Sequence, residues 1–100
     1  MLSKGKFKEE IQGLLKTIPS KTGRASYTGF KVNENTLHFI RVNTKKKWSL
    51  DIDLLYTIYS TNKFINTTVV KGIGKGRVNS PSVAVLMAIG CLDAMGNRIK

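Results

Sequence analysis

Residues 27–42 read YTGFKVNENTLHFIRV, and this stretch decides the fold. Tyr27 to Val32 and Thr36 to Val42 are rich in aromatic and β-branched residues, which favour a pleated, half-buried backbone. Between them, Asn33-Glu34-Asn35 supplies residues that tolerate a left-handed turn. The pattern predicts a β-hairpin. In its second strand Leu37 and Phe39 point to one side while His38, Ile40 and Val42 point to the other, so the strand is expected to be covered on much of both faces.

On the N-terminal side, Phe7, Ile11, Leu14, Leu15 and Ile18 fall on one stripe of a helix that Pro19 and Gly23 end. Residues 20–26, with Lys21 and Arg24 among small polar residues, read as an exposed loop. On the C-terminal side, Asn43 to Lys47 reads as a charged loop. Ser49 is a natural N-cap for a helix running to about Tyr59, with Asp51 and Asp53 in the first turn where negative charge is favoured. Residues 64–73 are ambiguous. Thr67-Thr68-Val69-Val70 has strand propensity, yet Asn66 is a good N-cap, and a short helix is the preferred reading. Gly72 to Arg77 is a basic loop, and Asn79-Ser80-Pro81 opens a last helix. The apolar body of that helix, Val83 to Leu92, has no polar face, which places it in the core or in a homodimer seam. Gly96 and Asn97 stop it. The predicted architecture is α+β: a leading amphipathic helix, a two-stranded β-hairpin, then two or three helices including a fully apolar C-terminal one.

One hundred residues, 41% of them hydrophobic, suit a single domain over 1–100 with one core. The lone cysteine, Cys91, allows no internal disulfide and fits a reducing, cytoplasmic compartment. The N-terminal lysines are followed by no apolar run of signal-peptide type. The longest uncharged apolar stretch, Val83 to Leu92, is far shorter than the roughly 20 residues a membrane span needs, so no membrane partner is expected.

Charge narrows the function. Seventeen Lys and Arg against six Asp and Glu give +11, a field that repels copies of itself and attracts polyanions. No acidic residue lies between Glu10 and Glu34 or between Asp53 and Asp93, while basic residues occur in both gaps.

The inventory for catalysis is thin. His38 sits in a strand and Cys91 in the most apolar helix, and their spacing supports no nucleophile and base pair. Asp51 and Asp53, at i and i+2 of the predicted helix, point about 200° apart and suit first-turn dipole compensation better than a metal site. The expectation is a non-enzymatic chain without cofactor or metal.

Binding has more to work with. Lys45-Lys46-Lys47 can contact phosphates, and Trp48 beside them either stacks on a base or joins the core. Lys71, Lys75 and Arg77 flank three glycines just before the helix that opens at Ser80. Charge, close backbone approach and a positive helix end therefore converge on an anion, although the loop matches neither a P-loop nor a dinucleotide fingerprint. If 64–73 is helical, the preceding helix and this one outline a weak helix-turn-helix, with Asn66, Thr67, Thr68 and Lys71 heading the recognition helix. The leading expectation is a nucleic-acid-binding domain, duplex DNA ahead of RNA, working through phosphate contacts. The alternative is a small interaction or structural subunit that meets an acidic protein partner, with the apolar last helix available as a homodimer seam.

Overall fold

The computed structural model describes residues 1–14, 16–20, 23–73 and 79–100, with 71–73 and 79 described by their backbone only. Its frame is a four-stranded antiparallel meander in chain order: β1 (Ile18–Pro19), β2 (Ser26–Asn33), β3 (Thr36–Arg41) and β4 (Lys46–Asp51). The predicted hairpin is β2 and β3, joined by Glu34 and Asn35. Glu34, rather than an asparagine, takes the positive φ of 57°. The class is thus α+β as expected, but the sheet has two strands more than the hairpin.

Strand β1 replaces the end of the predicted first helix. Helix α1 (Lys4–Gln12) starts under Ser3, whose Oγ accepts from the Lys6 N–H, and it stops at Gly13. A glycine inside a helix costs up to about 1 kcal/mol, and this one carries the chain out of the helix instead. Phe7, Ile11 and Leu14 are still buried, but Ile18 reaches the core from an edge strand, where Pro19 is tolerated because one side needs no donor.

Strand β4 replaces the predicted charged loop. Trp48 and Leu50 alternate onto the face that carries Phe39 and Leu37, their cross-strand partners, and Lys46 and Lys47 are its first two residues. The helix start consequently moves from Ser49 to Asp51. The Asp51 carboxylate accepts from the Asp53 and Leu54 N–H groups at 2.9 and 3.3 Å, and α2 (Ile52–Thr61) follows.

The segment 64–73 resolves as a helix, α3 (Thr67–Ile73), with Asn66 Oδ1 accepting from the Val69 N–H at 2.9 Å. Helix α4 (Asn79–Ala88) ends earlier than predicted. Gly90, at φ 79°, turns the chain; the Cys91 N–H bonds Leu86 O and the Gly90 N–H bonds Met87 O, the paired bonds of a Schellman motif. Gly96 does another job. A Cβ there would lie 2.6 Å from Ile65 O, so a glycine is needed for the tail to pack beside the link between α2 and α3.

All four helices share one core with the sheet face of Tyr27, Leu37, Phe39 and Leu50. The opposite face is more open than predicted: His38 and Val42 are exposed and Ile40 is half-buried. A bulge in β2 between Thr28 and Lys31, with Gly29 at φ 67°, turns Phe30 inward to stack on Phe39. Tyr59 is buried beneath α1, its hydroxyl accepting from the Leu2 N–H and donating to the Lys100 carbonyl, both at 2.7 Å. Among the described residues no helix is long and apolar enough to cross a membrane.

The apolar body of helix α4 is covered by its own chain, with Val83, Val85 and Leu86 wholly inaccessible, while Ser80, Met87 and Ala88 reach the surface. Leu86→Ala is therefore expected to destabilise the isolated chain by about 2–5 kcal/mol, the range for emptying a packed leucine site. Denaturant unfolding checks this, and a loss below about 1 kcal/mol would contradict the packing.

Candidate nucleic-acid interface

The strand register sorts charge along the sheet. At the β3–β4 end, Arg41 pairs with Lys46, the Lys45 N–H bonds the Arg41 carbonyl, and Lys47 follows on the other face. The β1–β2 loop joins them. Asn43 Oδ1 accepts from the Ser26 N–H and its Nδ2 donates to the Arg24 carbonyl, which holds Arg24 beside the β3–β4 turn. Five cations, at 24, 41, 45, 46 and 47, thus collect at one end of the sheet. The carboxylates lie elsewhere: Glu34 in the β2–β3 turn and Asp51 opposite Thr36 at the far end of β3, Asp53 paired with Lys4, Glu9 and Glu10 on α1, and Asp93 after α4. Five residues of strand separate Thr36 from Arg41, or roughly 17 Å.

The same end holds a cleft of about 120 Å³ between the sheet and the start of α4, lined by Arg24, Tyr27, Arg41, Trp48, Ser80 and their neighbours. Arg41 reaches it because it continues the alternation of Leu37 and Phe39 on the core-facing side. Trp48 is neither the exposed stacking platform nor a fully buried core residue. It is half-buried, packed on the core, with its Nε1 shielded from solvent and without an acceptor; Arg41 Nε is in the same state. The Tyr27 hydroxyl donates to Ser80 Oγ at 3.3 Å.

Of the residues expected from the sequence, Lys45, Lys46, Lys47, Trp48 and Ser80 come together here. Asn66 and Thr67 do not, since they open α3, which packs chiefly against α4. The Asn66 carboxamide oxygen is committed to the cap, and Thr67 and Thr68 are exposed. The link from α2 to α3 is no tight turn, because Phe64 within it forms a β-bridge with Asn97. Lys75 and Arg77 lie outside the described residues, as does the Lys71 side chain. Arg24 and Arg41 were not among the expected site residues. Arg41 was detectable as the one charged position in the 37, 39, 41 series.

The groups weighed for catalysis have other occupations. Asp51 caps α2, and the Lys4 ammonium beside Asp53 is the main cause that holds its carboxyl below the usual range. His38 is exposed on the outer sheet face. Among the described residues no three His, Cys, Asp or Glu side chains group as metal ligands. Comparison of the chain with known protein families, with curated proteins and with solved structures finds no match in any of the three.

Cys91 is wholly inaccessible, and burial pushes its thiol up to about 11. Since the thiolate is the reactive form, alkylation of the native protein near pH 8 is expected to be slow and to become fast only in denaturant. Rapid native labelling, followed by mass spectrometry, would contradict this placement.

Proposed function

We propose that this chain binds nucleic acid without catalysing a reaction on it, through Lys and Arg contacts to backbone phosphates, with duplex DNA the preferred form. The observation that carries this reading is the sorting of charge along the sheet, five cations gathered at one end with no carboxylate among them. Cations spread evenly would serve solubility. Gathered ones create a local potential that draws a polyanion to a defined place. The exposed side chains of Lys45, Lys46 and Lys47 suit phosphate contacts, which position a duplex without reading its sequence. Trp48 is half-buried and packed on the core, so it offers less of the exposed aromatic face that single-strand binding uses. An acidic protein partner would answer to the same charge, and the choice of ligand in the assay separates it from nucleic acid.

The test is a titration with unrelated duplexes, single-stranded DNA and RNA at two salt concentrations. With five phosphate contacts, each contributing a slope of about −0.9, duplex affinity is expected to fall by roughly 500-fold between about 50 and 200 mM salt. Lys45→Gly combined with Lys46→Ala and Lys47→Ala should flatten the salt slope by about 2.7 and leave sequence preference unchanged. Glycine is chosen at 45 because Lys45 has a φ of 56°, where glycine is unstrained. A triple variant that binds duplexes like the parent, or an affinity indifferent to salt, would contradict the proposal.

A further inference from the structure

The cleft beside α4 poses a problem that the lysines do not. Arg41 Nε and Trp48 Nε1 are both shut off from solvent and have no acceptor among the described residues. A donor in that state has lost its hydrogen bond to water without regaining one. Arg41 also makes no ion pair among the described residues, where the salt bridges are Lys4 with Asp53 and Lys6 with Glu9. Arg41 as a whole is half-buried, and an arginine partly withdrawn from water in this way is commonly paired with a carboxylate or a bound anion. None of the described residues that line this cleft is acidic. Two further donors line it. Arg24 lines the cleft from an exposed loop position, and Ser80, whose oxygen accepts from Tyr27, keeps its own hydroxyl proton for a further acceptor.

We propose that this cleft is a seat for one phosphoryl group, bound by Arg41 and Arg24, the Trp48 indole N–H and the Ser80 hydroxyl. The residues come from β3, the β1–β2 loop, β4 and α4, so four separate elements border the one cleft. A tetrahedral oxyanion offers acceptors in all those directions, whereas a carboxylate offers two oxygens in one plane. Arginine suits the task because its planar fork can hold two phosphate oxygens at once. The cleft is large enough for several waters, and hence for a phosphoryl group in their place. The seat does not depend on the nucleic-acid reading, since a strand phosphate and the phosphate of a small ligand present the same chemistry.

Trp48 is the only tryptophan and lines the cleft, so its fluorescence serves as the readout, with the Arg24 and Ser80 variants tying a change to this side of the ring. Inorganic phosphate is titrated into the full chain, with chloride at matched ionic strength as the control. Saturable change with phosphate and none with chloride is expected. Arg41→Lys, which keeps the charge but loses the fork, should weaken phosphate at least 10-fold, Arg24→Ala and Ser80→Ala should each weaken it, and Lys63→Ala, at an exposed lysine between α2 and α3 away from the cleft, should not. If Arg41→Lys fails to fold, Arg24→Ala and Ser80→Ala decide, neither being a core residue. A non-saturating response shared by phosphate and chloride, or affinities unmoved in all three cleft variants, overturns the seat. Duplex DNA that competes with phosphate identifies the strand backbone as the source. Duplex binding that leaves the phosphate titration unchanged assigns the seat to a phosphorylated small ligand and leaves the nucleic-acid reading standing. Phosphate saturation without any duplex binding keeps the seat and removes that reading.

Discussion

Strand β3 is hydrogen-bonded on both sides, and its register is the constraint from which the rest follows. Side chains alternate along a strand, so pairing Leu37 with Leu50 and Phe39 with Trp48 places all four on the helix-covered face. A slip of one residue would put His38 and Ile40 there instead and expose the Phe39 ring that Tyr27 and Phe30 pack against. The core therefore fixes the register, and the register leaves no choice about Arg41. Two residues beyond Phe39 on the same side, it must lie where the core meets the start of α4.

The charge distribution extends the same logic. Antiparallel pairing sets Lys46 opposite Arg41, and the turn between them adds Lys45. Like charges opposite one another in a sheet are unfavourable, and here no carboxylate relieves them. The chain tolerates this because the core is extensive, uniting the sheet with all four helices. An arrangement that weakens the free protein locally and would be relieved by an anion is how binding sites commonly differ from the structure around them.

Much of the fold was legible in the sequence because local signals and tertiary contacts agreed. The hairpin's alternation, the Asn66 cap of α3 and the Asn79-Ser80-Pro81 start of α4 are examples. What was not legible depended on partners distant in sequence. In Lys46–Asp51 the apolar alternation has only two members, Trp48 and Leu50, too few to distinguish a strand from a loop leading into a helix. In the first helix the apolar stripe runs on through Leu14 and Ile18, but Gly13 interrupts the helix, and those residues reach the core by another route. The lysine run of the site was visible as composition. Arg24 was not, and Arg41 stood out only as the one charged position in the 37, 39, 41 series, because their importance lies in a cleft that exists only once β2, β3 and α4 have met.

The end of the sheet at the β3–β4 turn is the proposed place where a polyanion docks. The most direct measurement is a backbone amide NMR map of the protein on adding a short DNA duplex. Perturbed amides are expected to cluster at 24, 41–48 and 80, while 33–36 and 51–53, at the carboxylate end of the same strands, stay in place. Perturbations concentrated on 66–69 at the start of α3, with 41–48 silent, would contradict it.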